Sequence, residues 1–108
     1  MMNLDSIGSN LKKHRLAKKL RQEDLAEIVG LSANYIGMIE RGEKIPSLET
    51  FVTLLNALEA SADVVLSDIM NSGYLVKNAV LDEKMRKLSY EDRDMIYDVI
   101  DILMKHLK

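Results

Sequence analysis

The chain has no cysteine and no tryptophan, and only one proline, one phenylalanine, four tyrosines and five glycines in 108 residues. Without cysteine, disulfides and thiolate metal sites are excluded. With Pro46 as the single proline, nothing in the composition forbids long helices. No run approaches the ~20 apolar residues that a membrane-spanning helix needs. The start, Met1-Met2-Asn3-Leu4-Asp5, lacks the basic-then-apolar order of a secretion signal. Enzyme chemistry lacks its usual parts as well. His14 and His106 stand far apart in the chain, no glycine-rich loop could cradle a phosphate, and no coherent acid–base cluster is visible. Asp92, Asp94, Asp98 and Asp101 match no calcium-loop spacing and read as a solvated helix face. The expectation is therefore a cytoplasmic protein without cofactor, metal or membrane partner, and not an enzyme.

What the chain does have is aliphatic and charged. It is 47% hydrophobic and 30% charged, which suits a small folded domain, with or without an extension, and not a disordered chain. The net charge of −2 at first argues against a nucleic-acid partner. Residues 1–58, however, carry 8 Lys/Arg against 7 Asp/Glu, and residues 59–108 carry 7 against 10. Within the first half, Lys12, Lys13, Arg15, Lys18, Lys19 and Arg21 face only Asp5 as an acidic neighbour. Screening confines distant charges to within ~8 Å at physiological salt, so a local basic face on an acidic chain can bind phosphate. By itself the same cluster reads equally as a solvated lysine face.

The apolar spacing is helical almost throughout, with no sustained strand-like alternation, no repeat and no low-complexity segment. A first helix is expected from Asp5 to Lys19, with Leu4, Ile7 and Leu11 on one stripe. A second, Gln22 to Val29, buries Leu25, Ala26 and Val29 and stops at Gly30. Ser32 caps a third that continues to Arg41, buries Ile36 and Ile39, and ends at Gly42. A fourth opens at Pro46-Ser47 with apolar residues Leu48, Phe51, Leu54, Leu55 and Leu58, and a fifth runs from Ala62 to Met70. Asn71-Ser72-Gly73 reads as a linker, followed by an irregular region with a helical turn near Leu81 to Leu88. A last helix spans Tyr90 to Leu107, with Ser89 and Asp92 at capping-box spacing and Lys105, His106 and Lys108 suiting its end.

The second and third helices are joined by Gly30-Leu31-Ser32 alone, which suits two helices crossing steeply. The second of such a pair can lie in the DNA major groove while the first braces it across the phosphates. Two charges break the apolar pattern. Arg15 continues the Leu4/Ile7/Leu11 stripe, and Glu40 continues the Ile36 stripe at a helix C-terminus, where an acid is disfavoured. Lone charges on buried stripes are costly, and pairing offsets the cost. Arg15 and Glu40 are thus expected to pair and tie the first helix to the third; the other reading is two separate side chains reaching solvent.

The run Leu20-Arg21-Gln22-Glu23-Asp24-Leu25-Ala26, then Gly30-Leu31-Ser32, Tyr35-Ile36, Ile39-Glu40-Arg41-Gly42 and Pro46-Ser47-Leu48-Glu49 resembles the XRE/Cro-like, phage-repressor type of helix-turn-helix regulator. The likeness covers about residues 5–70. It implies an all-α, five-helix, lambda-repressor-like DNA-binding domain and again the Arg15–Glu40 pair. It implies that Gln22 touches the DNA backbone and sometimes a base, and that Ala33, Asn34 and Met38 face the groove, with the cap Ser32 beside them. Tyr35 matches a position that reaches phosphate or a base edge, and Arg41 and Lys44 match backbone contacts. Tyr35 also reads as a surface aromatic packed on its own helix, and Met38 as a residue at the rim of the core. Asn34 is the one strong polar base reader, able to bond an adenine edge bidentately; Ala33 and Met38 offer apolar contact, and Gly37 stands where the family often has a small polar residue. Specificity then depends partly on Gln22, Tyr35 and DNA shape.

In the last helix Ile96, Ile100, Leu103 and Leu107 are spaced 4-3-4, and Met95, Val99 and Met104 widen the stripe. Such a face is too broad for one contact and too apolar to stay wet. The expected organisation is a DNA-binding domain at 1–70, a linker with a short helical turn at 71–88, and a C-terminal amphipathic dimerisation helix at 89–108. Ile96, Val99, Ile100, Leu103, Met104 and Leu107 are assigned to a homodimer contact, with Asp94, Asp98 and Asp101 facing solvent. The function expected is a transcriptional regulator, a repressor by its small size, that binds double-stranded DNA at a pseudo-palindromic operator as a dimer. The alternative is an antitoxin-like or anti-regulator module whose C-terminal helix captures a protein partner while DNA binding serves autoregulation.

Overall fold

A computed structural model describes residues 3–107, so Met1, Met2 and the expected helix-end charge of Lys108 lie outside the described residues. Among the described residues seven helices follow one another: α1 (Asp5–Ala17), α2 (Gln22–Val29), α3 (Ala33–Glu40), α4 (Leu48–Leu58), α5 (Ala62–Val65), α6 (Gly73–Arg86) and α7 (Tyr90–Lys105). No strand occurs among the described residues. The chain divides into two compact units, one ending at Val76 and one beginning at Lys77.

The first unit is built where the apolar stripes converge. Ile7 and Leu11 of α1, Leu25 and Ala26 of α2, Ile36 and Ile39 of α3, Leu54, Leu55 and Leu58 of α4, and Val65 of α5 form one buried cluster. Val29, expected in the core, is half-buried at its edge, and Leu48, counted with the apolar side of α4, is exposed. The helices start and stop where side-chain chemistry allows. Ser32 Oγ accepts from the Tyr35 backbone N–H at 3.0 Å, and Ser47 Oγ accepts from that of Thr50 at 3.2 Å. Gly30 ends α2 at φ 74°, a left-handed conformation that a side chain would strain. At α2 the cap is a carboxylate: Asp24 Oδ2 accepts from the Arg21 backbone N–H at 2.8 Å, and the Arg21 guanidinium binds the same carboxylate.

α1 and α7 each end two residues short of expectation, at Ala17 and Lys105, and two elements differ by more. The fifth helix stops at Val65 and does not reach Met70. Beyond it the backbone bonds tighten to three-residue turns, Ser67 N to Val64 O and Ile69 N to Leu66 O, while the Ser67 hydroxyl takes the Val64 carbonyl as well. Asn10 fixes this turn to α1, its side-chain amide donating to Val65 O at 2.8 Å and to Asp68 Oδ2 at 2.9 Å. The second difference is α6. The Asn71-Ser72-Gly73 stretch does not open an irregular linker, because Gly73 is the first residue of a 14-residue helix. A Cβ on Gly73 would overlap the Ser67 carbonyl oxygen, so glycine is required by close approach and not by flexibility. The helix escaped the apolar pattern because Tyr74, Leu75, Val76, Val80 and Leu81 are spread around it and form no single stripe.

In the second unit, α6 contributes Leu81, Asp82 and Met85 to a shallow cleft whose other wall is Tyr97 and Ile100 of α7. Ser89 caps α7 by accepting from the Asp92 backbone N–H at 3.1 Å. Asp94, Asp98 and Asp101 are exposed, and so are Val99, Leu103, Met104 and Leu107.

Candidate nucleic-acid interface

α3 presents its inner face to the core through Ile36 and Ile39, so its remaining face and its N-terminal turn meet solvent. Its position is set by α1 and α2. Gly8 of α1 lies so close to α3 that an added Cβ would overlap the Ile39 carbonyl oxygen. The Arg15 guanidinium reaches across from α1, Nε donating to Glu40 Oε2 at 2.7 Å and Nη2 to Glu40 Oε1 at 3.0 Å. Both side chains are nearly sealed from water, at 6% and 3% exposure, and Arg15 Nη1 also donates to the Leu20 carbonyl at 2.7 Å. A bidentate pair of this kind fixes orientation as well as charge.

The pair extends to the candidate interface. Gln22, first residue of α2, donates from Nε2 to Glu40 Oε1 at 3.0 Å. The half-buried Gln22 amide is thereby held, with its remaining groups available to a ligand. A buried ion pair therefore positions a residue at the surface. Asn34 is exposed at the start of α3; its amide lies 3.8 Å from the Met38 sulfur, a weak contact that leaves its donors and acceptor available. Ser32 is exposed, with its hydroxyl already engaged as the cap. Ala33 and Tyr35 are half-buried and pack against the core, and Met38 is half-buried. Lys44 is exposed in the loop beyond α3.

Arg41 has surroundings that its place in the sequence does not reveal. Gly37 is buried, and a Cβ there would stand 2.9 Å from Arg41 Nη1, so the guanidinium lies back over the glycine. Arg41 Nη2 also pairs with Glu43 Oε2 at 3.0 Å. The hydrogen bond from Arg41 holds the Glu43 carboxyl below its usual range, and Glu43 in turn raises Arg41. At the other end of the interface, Arg21 holds Asp24 below the usual carboxylate range by the same means. Two of the cations near α2 and α3 are thus matched by acids in the isolated chain. The Gln22–Glu40 link and the Arg41–Glu43 pair were not read from the sequence. The i, i+4 spacing of Gly37 and Arg41 is the signal that could have suggested the folded-back guanidinium.

No helix is long and apolar enough to cross a membrane, and no cluster of three potential metal ligands occurs among the described residues.

The sequence profile of the helix-turn-helix family matches residues 11–65. The control protein C.SmaI of Serratia marcescens is 39% identical over 61 residues, 56% of this chain and 73% of that protein. The immunity repressor protein of Bacillus phage phi105 is 32% identical over 90 residues, 83% of this chain and 57% of that one. Among solved structures, the clp gene regulator ClgR of Corynebacterium glutamicum is similar with a TM-score of 0.60 and 28% identity, covering 86% of this chain and 97% of its own.

Proposed function

This chain belongs to the helix-turn-helix family and is a DNA-binding transcriptional regulator; we propose that it is a repressor that reads a pseudo-palindromic operator as a dimer. The observation that carries the reading is the exposed Asn34 at the start of a helix whose seat is fixed by the buried Arg15–Glu40 pair. In the major groove, Asn34 bonds the N6 and N7 edge of an adenine, a contact worth ~1–3 kcal/mol of discrimination. Ala33 and Met38 meet apolar groups such as a thymine methyl. Gln22, Ser32 and Tyr35 border the groove, and Arg41 and Lys44 contact phosphates. Phosphate contacts supply affinity and register, while Asn34 supplies most of the polar readout. Repression is supported by the phage repressor among the relatives. A DNA target supports a cytoplasmic location.

A single helix-turn-helix reads few bases, and a two-fold dimer doubles the reading by engaging half-sites about one helical turn apart. The exposed apolar residues of α7 support a second copy as the partner. The test is selection of bound sites from random duplex DNA by the full chain. A pseudo-palindromic motif with half-sites ~34 Å apart is expected. Failure to enrich any motif would transfer weight to a module that works through a protein partner.

A further inference from the structure

We propose that α7 pairs with α7 of a second copy in antiparallel fashion about a two-fold axis at Val99; this rests on the dimeric reading above and specifies its contact. At 100° per residue, Met95, Val99, Ile102 and Leu103 fall within an arc of about 100° on α7. All four are exposed, at 60%, 51%, 57% and 59%. Ile100 and Tyr97 point elsewhere, into the cleft shared with Leu81 and Met85 of α6. The cleft with α6 therefore takes Tyr97 and Ile100 from α7, while this arc stays exposed. The seam differs from the broad stripe expected from the sequence: Ile102 enters it beside Met95, Val99 and Leu103, and Ile100 turns to α6.

Charge decides the direction. The helix begins with Glu91 and Asp92 and ends with Lys105, all exposed. An antiparallel pair centred on Val99 sets Val99 against itself and Met95 level with Ile102 and Leu103. It also sets the acids of one copy beside Lys105 of the other. A parallel pair sets acid beside acid at one end and base beside base at the other, which costs free energy. The antiparallel pair also opposes the two helix dipoles favourably. The contact is isologous, so each favourable pairing occurs twice.

The absence of cysteine makes the register directly measurable. In the full chain, V99C, M95C, L103C and the double variant M95C/L103C are oxidised, and the products are read by non-reducing electrophoresis beside sedimentation of the unoxidised proteins. Positions 95 and 103 lie two turns apart on one helix, too far for a bridge within one chain. The proposal expects covalent dimer to dominate for V99C and M95C/L103C and to be a trace for M95C or L103C alone. Efficient cross-linking of M95C alone would mean a parallel pair and overturn the register while leaving the dimer in place. Sedimentation as a dimer with no cross-link in any variant would move the contact off this seam. A monomer throughout would overturn both the register and the dimeric reading.

Discussion

Arg15 and Glu40 form the most consequential contact between single residues in the first unit, because the pair is sealed from water and also anchors Gln22. Removing one partner of a buried pair leaves the other charge uncompensated, a loss of ~3–5 kcal/mol. Glu40→Ala is expected to lower the unfolding free energy by about that amount in urea titration. The double change R15M/E40L is expected to be much less harmful, since it removes both charges. Unchanged stability in Glu40→Ala would mean that the pair carries no structural weight. A smaller, pH-dependent effect belongs to Asp24. Its folded-state pKa is depressed, chiefly by the Arg21 hydrogen bond, so its contribution is present above the unfolded pKa of ~3.9 and is lost as pH falls through the folded value. Thermal melts of Asp24→Asn should therefore lie below wild type at neutral pH and converge with it under strongly acidic conditions. The residues of the interface were unevenly legible. Arg15 and Glu40 announced themselves as charges on apolar stripes, and Asn34 as an amide at the head of the third helix. The link from Gln22 to Glu40 joins positions 18 residues apart with no shared periodicity, and the Arg41–Glu43 pair depends on a loop conformation.

Among the elements, the seat of α3 depends on two glycines whose replacement should have opposite outcomes. A Cβ at Gly8 meets the Ile39 backbone carbonyl, which cannot move without separating α1 from α3. Gly8→Ala is expected to destabilise by ~1–3 kcal/mol or more, as overpacking does. At Gly37 the nearest group is the end of the flexible Arg41 side chain. Gly37→Ala should cost nothing or stabilise by up to ~1 kcal/mol through helix propensity, while pushing Arg41 off the helix. Urea titration of the two variants side by side checks the contrast; equal losses would contradict it. Helices α1 to α4 were readable because each has a single apolar stripe, and α2 to α4 also have a defined stop or cap. The end of α5 was not, because the turns after Val65 keep the apolar residues Leu66 and Ile69 half-buried beyond the helix. α6 was hidden by its scattered apolar residues and by a glycine that serves close packing.

For the whole molecule, a net charge of −2 and a DNA-binding role are compatible because the acids are concentrated after residue 58. Even near α2 and α3, however, Arg21 and Arg41 are paired with Asp24 and Glu43. Binding to phosphate must compete with these acids, a cost that the proposed pairing of two copies would offset. The central claim is that α3 reads sequence through Asn34 on this acidic chain. It is tested most directly by measuring, at one fixed salt concentration, the affinity of wild type and Asn34→Ala for a selected operator and for a scrambled duplex. Loss of the adenine contact should weaken operator binding by ~1–3 kcal/mol per half-site, roughly fivefold to 150-fold each, while binding to the scrambled duplex stays the same. An Asn34→Ala chain that keeps the full ratio of operator to scrambled affinity would contradict the account.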